Sequence, residues 1–197
     1  MLRELGYQFL VYRSIAFPFL VLSLIVVPCW LVFRLYWLRS RRQPVSLRRE
    51  CLLVIVVLYL CGVAAATLAP NHNPRLLAQD TTGIELRPNL ATLTCSSAML
   101  PKGSNVRHFC VYNAKGNVLL FFPLGILIAL VWRRLRFWKV IQIAIALSFT
   151  IELLQYLSRA WGSYRAADIN DVILNVFGAS LGLILVSLLR LRIRRPS

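Results

Sequence analysis

Long apolar runs alternate with short basic stretches along the chain, and that alternation predicts its elements. Ile15–Leu38 is apolar over a length that crosses a bilayer. Pro18 and Pro28 lie inside it, where a membrane helix tolerates proline by bending. Cys51–Ala69 is a second run, stopped by Pro70-Asn71-His72-Asn73-Pro74. Asn117–Trp132, a short run that Tyr112 and Lys115 can extend, is the third, and Val140–Leu157 and Val172–Leu189 are the fourth and fifth. The pattern predicts an all-α integral membrane protein, a bundle of about five transmembrane helices. Met1–Ser14 is mixed and mildly amphipathic, and Arg34–Glu50 is a basic linker. Pro70–Gly116 is the longest polar segment, with apolar patches at Leu90–Leu93 and Phe109–Tyr112 that read as dipping back toward the membrane. The expected organisation is a first span with its linker over 1–50, then a membrane domain over 51–197 with an external loop at 70–116.

One stretch breaks the pattern. Glu152 and Gln155 interrupt a run that would otherwise pass as an ordinary span. Burying such groups in lipid is expensive, so they need partners or a purpose. Glu152, Gln155 and Arg159 are three and four apart, as are Asp168, Asp171 and Asn175. Each set shares one helix face. The ten residues Ser158–Ala167 between them make an antiparallel hairpin. Two polar faces are expected to point at each other across it.

Composition sharpens the class. With 197 residues, 58% hydrophobic and 7 acidic, the chain fits one membrane domain rather than a soluble one. The net charge of +16 reads as membrane anchoring and not as nucleic-acid binding. The first apolar run is followed by arginines rather than a small-residue cleavage site, so it is retained. Lys plus Arg is dense in Arg34–Glu50, in Arg133–Lys139 and after Leu189, which makes those segments cytoplasmic. The five in the polar loop are diluted over 47 residues. The N-terminus is then outside, the C-terminus is cytoplasmic, and the polar hairpin lies at the outer leaflet.

Candidate chemistry follows from that placement. Asn117 opens span three from the outside, near the levels of Glu152, Gln155, Asp168, Asp171 and Asn175. Asp168 also suits a helix N-cap, with Asp171 in the first turn, where the helix dipole favours carboxylates. Asn117 suits a cap too, and Asn175 suits an interhelical hydrogen bond. Glu152 is either protonated or paired with Arg159 or Arg165. Asp168 and Asp171 are the weak candidates for a divalent cation; no cofactor is expected. Gly178 and Gly182 form a GxxxG face for close packing, within the chain or in a homo-oligomer. Trp132, Trp138 and Trp161 read as interfacial anchors. Cys29, Cys51 and Cys61 read as packing, and His72 and His108 as ordinary loop residues. Cys95 and Cys110 share the external loop; a bridge between them would contribute about 3 kcal/mol by chain entropy.

Four blocks carry a resemblance. They are Asn117-Val-Leu-Leu-Phe-Phe-Pro123-Leu-Gly125, then Glu152-Leu-Leu-Gln155 with Arg159, then Asp168-Ile-Asn-Asp171-Val-Ile-Leu-Asn175-Val-Phe-Gly178-Ala-Ser-Leu-Gly182, and upstream Arg87-Pro-Asn89-Leu. In order and spacing the chain resembles the VanZ-like family of bacterial membrane proteins, over about Val57 to Leu189. It departs from the family at Ala166-Ala167, where an aromatic often precedes the aspartate, and in the loop bearing Cys95 and Cys110. The resemblance implies a multi-span inner-membrane protein of the cell envelope. The family's founding member is linked to resistance to the lipid-tailed glycopeptide teicoplanin.

Three functions compete. The first is an envelope protein that lowers sensitivity to a lipidated glycopeptide by binding the drug, a membrane lipid or a lipid-linked precursor. Arg159 and Arg165 would then meet an anionic headgroup, and Asp168 and Asp171 a cationic or hydroxyl-bearing group. The second is an intramembrane enzyme acting on a lipid-linked phosphate or sugar, with Glu152 as acid or base. The third is a transporter subunit, for which five spans are few and no inverted repeat is visible.

Overall fold

The computed structural model describes residues 2–42, 45–68, 84–95, 105–132, 134–158 and 167–193. The helices are α1 (Leu2–Arg41), α2 (Leu47–Leu68), the short α3 (Leu90–Thr94), α4 (Asn105–Val131), α5 (Phe137–Leu157) and α6 (Ile169–Ile193). Two short strands, β1 (Ile84–Glu85) and β2 (Ala167–Asp168), complete the described elements. Among the described residues, five helices are long and apolar enough to cross a membrane: Ile15–Arg41, Leu47–Leu68, Cys110–Val131, Phe137–Leu157 and Ile169–Arg190. The protein is a multi-pass membrane protein. Large apolar side chains such as Leu24, Phe149 and Leu188 stand exposed along these helices, as a lipid solvent permits.

The chain divides into two compact units, Met1–Pro70 and Asn71–Ser197. The first is the antiparallel pair α1–α2. Arg34 at the end of α1 donates from Nε and Nη2 to the two carboxylate oxygens of Glu50, both at 2.8 Å. The fork-on-carboxylate geometry fixes direction as well as distance. The Arg34 guanidinium also lies 4.7 Å from the Trp37 ring centre. Near the other end Gly62 faces Phe19. Arg42, at φ 48°, takes the left-handed conformation that terminates α1. The Ser46 carbonyl accepts the Glu50 N–H and opens α2.

The second unit is built around α6. Apolar area gives little drive for helices to associate in lipid, so close backbone approach and polar contacts must hold them. A Cβ added to Gly178 would stand 2.2 Å from the Val118 carbonyl oxygen, and one added to Gly182 would stand 2.1 Å from that of Phe122. Only glycine lets the two backbones meet at these points. Gly125 of α4 returns the contact against Ala179. The paired numbers rise together, so α4 and α6 run parallel. On the other side of α6, α5 runs antiparallel. Val140, Ala144, Ser148, Ile151, Glu152 and Gln155 form its buried face. Phe121 of α4 and Ala179 of α6 are fully buried in the same core. At the C-terminal end, Arg190 Nη2 donates to the Ala129 carbonyl near the end of α4.

Several expected boundaries shift. α1 extends from Leu2 through Arg41, so the mixed first 14 residues and the start of the linker are helical. Their polar side chains masked a backbone that continues as helix. α4 begins at Asn105, not at Asn117, so the last part of the polar loop, including the Phe109–Tyr112 patch, is helix. The Leu90–Leu93 patch lies in α3. Gly178 and Gly182 are filled by the α4 backbone of the same chain, so an oligomer would have to use other surfaces.

Candidate functional site

The turn into α6 gathers polar groups from four segments. Asp168 is the N-cap of α6: its Oδ1 accepts the Asn170 N–H at 2.8 Å. The backbone N–H of Asp168 donates to Glu152 Oε2 of α5 at 3.1 Å. Glu152 is 6% exposed, and its carboxyl faces the positive end of the α6 dipole. β1 lies parallel to β2, pairing Ile84 with Ala167 and Glu85 with Asp168. That pairing brings the Arg87-Pro88-Asn89 segment over the turn. The Asn89 N–H donates to Asn170 Oδ1 at 3.0 Å, and the Asn89 carbonyl accepts the Leu93 N–H to open α3. Asn170 is 3% exposed; it bonds two chain segments that lie 81 residues apart.

Deeper along α6, Asn175 Nδ2 donates to Ser148 Oγ of α5 at 2.9 Å. Ser148 is fully buried and Asn175 nearly so. On the α4 side, Asn113 Nδ2 donates to Asp171 Oδ1 at 3.1 Å. The polar residues of α6 therefore divide between two neighbours. Asp168 and Asn175 serve α5, while Asp171 serves α4. Of the expected facing residues, Glu152 meets Asp168 through the Asp168 backbone N–H, Asn175 meets Ser148, a residue outside the expected sets, and Asp171 meets Asn113 of α4.

Other candidates fall as follows. Asn117 lies well inside α4, so it is not a cap; among the described residues its buried Nδ2 meets no hydrogen-bond partner, nor does Asn175 Oδ1. Gln155 is 8% exposed and sits one turn beyond Glu152 on the same face. Arg159, Arg165 and Trp161 lie outside the described residues, as does His72; a Glu152 pair with either arginine is therefore not described. Asp168 Oδ1 accepts from Asn170 and Asp171 Oδ1 accepts from Asn113. Cys95 and Cys110 are joined in a disulfide, with Cα atoms 5.9 Å apart. It ties the end of α3 to the second turn of α4.

The spacing of Glu152, Gln155, Asp168, Asp171 and Asn175 does not by itself point to Ser148, Asn170, Asn89 or Asn113. Ser148 sits four before Glu152, and Asn113 four before Asn117, so the same helical periodicity extended one turn further would have found both. Asn89 and Asn170 depend on a long-range strand pairing that no local pattern carries.

Beside these carboxylates opens a cleft of about 300 Å³. Its walls are apolar: Phe149, Leu153 and Tyr156 from α5, Val172 from α6, and Ile84 and Leu86 from the β1 segment. Glu152 and Asp168 form its polar end. The arrangement suits an amphiphile, with an apolar portion along α5 and a hydrogen-bonding portion toward the α6 N-terminus. No curated protein and no solved structure matches the chain. The VanZ/LLP1 family model does match, over residues 56–190. That span is more than two-thirds of the chain and includes every residue of the cleft and of the polar turn, so the chain belongs to the VanZ/LLP1 family.

Proposed function

We propose that the protein acts in the cytoplasmic membrane of a bacterial envelope and lowers sensitivity to teicoplanin-type glycopeptides by holding their lipid tail. The apolar cleft closed at one end by Glu152 and Asp168 is the observation that carries this reading. The tail lies along Phe149, Leu153 and Tyr156, and the polar end meets donors of the headgroup. The density of arginine after α1, after α4 and after α6 puts the α5–α6 turn at the outer leaflet, where such a drug arrives. A lipid-linked envelope precursor offers the same combination of tail and polar head. The enzyme alternative draws less support. It would use Glu152 as acid or base, and the walls beside Glu152 are apolar side chains rather than phosphate-binding groups.

The test uses purified full-length protein in lipid nanodiscs. Saturable binding of teicoplanin is expected, with no binding of a glycopeptide that lacks the tail. Leu153→Trp, which fills the cleft from its lipid-facing wall, is expected to weaken binding by about tenfold, the effect of ~1.4 kcal/mol. Equal binding of tailed and tail-less drugs, or binding indifferent to Leu153→Trp, would refute the reading. In cells the same variant is expected to return teicoplanin sensitivity to that of cells lacking the protein.

A further inference from the structure

A second cavity, of about 400 Å³, opens at the other end of the second unit, where α4 ends, α5 begins and α6 ends. Three elements wall it. Trp132 follows α4, Phe137 starts α5, and Ile184, Leu188 and Arg190 come from the last turns of α6. The apolar spans of these helices also stop here, at Val131, Phe137 and Arg190. The cavity therefore stands at the boundary between hydrocarbon and water, the depth of phospholipid headgroups. The exposed Trp132 ring suits that depth.

Arg190 is the one charged group among the described lining residues. Its Nη2 donates to the Ala129 carbonyl, which holds the guanidinium at the α4 wall. A guanidinium has five N–H donors, and this bond uses one. Among the described residues no carboxylate pairs with Arg190, and the sequence explains why. Neither 106–151 nor 172–197 contains Asp or Glu, whereas Arg133–Lys139 carries four cations and Arg190–Arg195 another four. Glu152 and Asp171, the acidic residues of α5 and α6, lie toward the far ends of those helices. Counter-charge for this end must come from outside the three helices.

We propose that this cavity binds an anionic phospholipid, with the phosphate on the Arg190 guanidinium and the start of an acyl chain along Phe137, Ile184 and Leu188. A free phosphate would leave the apolar walls without a role. A zwitterionic lipid would bring a further cation to an end that holds no carboxylate. The site lies at the opposite end of α6 from the cleft beside Glu152 and does not depend on it.

The test extracts full-length protein in detergent from vesicles of equal phosphatidylglycerol and phosphatidylcholine, and reads the lipid retained by native mass spectrometry. Phosphatidylglycerol is expected to be retained over phosphatidylcholine. Arg190→Gln should lower that retention by about tenfold, as loss of a charge-assisted bond does. Ser187→Trp fills the cavity from α6 and should lower it as far. This second variant keeps the Arg190–Ala129 bond, so its loss reports lipid binding rather than the helix contact. Lys139→Gln removes the same charge at an exposed position of α5 outside the described lining and should change nothing, as should Leu153→Trp in the cleft. On the unaltered site, brominated phosphatidylglycerol should quench the fluorescence component that Trp132→Phe removes more strongly than brominated phosphatidylcholine does. Equal retention of the two lipids, equal quenching by them, undiminished retention in Arg190→Gln or Ser187→Trp, an equal loss in Lys139→Gln, or displacement of the lipid by inorganic phosphate would each overturn the proposal.

Discussion

Asp168 works through two separate atoms. Its side chain caps α6 by accepting the Asn170 N–H, while its backbone N–H reaches the Glu152 carboxylate. Asparagine caps nearly as well as aspartate, so Asp168→Asn should leave thermal stability almost unchanged. Asp168→Ala should cost about 1 kcal/mol, read as a lower melting temperature in detergent. A similar loss from both would mean that charge, not capping, holds the turn. The Ser148–Asn175 bond is a polar tie inside the bundle. A double-mutant cycle with Ser148→Ala and Asn175→Leu should give a coupling energy of about 0.6 kcal/mol, typical for bonds between membrane helices. Additive effects would show that the two side chains do not share a bond in solution.

Among elements, the α4–α6 seam is the least tolerant. Val118 and Phe122 carbonyls occupy the space that side chains at Gly178 and Gly182 would need. Gly182→Val should push the helices apart and destabilise the second unit by about 3 kcal/mol; limited proteolysis or a cysteine cross-link across the seam would report it. Unchanged resistance to protease would contradict the close approach. The α1–α2 pair relies on a different device. Lysine cannot reproduce the paired bonds of Arg34 to Glu50. Arg34→Lys should therefore lower the stability of this hairpin by about 1 kcal/mol, and Glu50→Gln should do the same in a non-additive way.

For the whole molecule the open quantity is orientation, and the charge pattern makes a definite prediction. A reporter fused after Ser197 should be active only on the cytoplasmic side, and one fused after Met1 only outside. The loop between α2 and α4 would then face an oxidising compartment, and the Cys95–Cys110 bridge should form there. Wild-type protein should run with a different mobility under non-reducing conditions, and Cys95→Ser should abolish that difference. A difference that survives Cys95→Ser would point to another pairing.

Apolar run length by itself determined the class and the helices able to cross a membrane, because every backbone group in lipid must be satisfied within a helix. Helical spacing also marked Glu152 and Asp168 as facing residues, and glycine spacing marked the close-packed seam. Each is a short-range property. The tertiary structure decided the rest. It extended α4 twelve residues upstream of Asn117, where polar side chains had disguised a helix. It joined Asp171 to Asn113 of α4, a matter of which neighbour occupies that side of α6. It laid β1 beside β2 and brought Asn89 onto Asn170 across 81 positions. That pairing forms one wall of the apolar cleft, and no local periodicity encodes a contact between segments so distant in the chain.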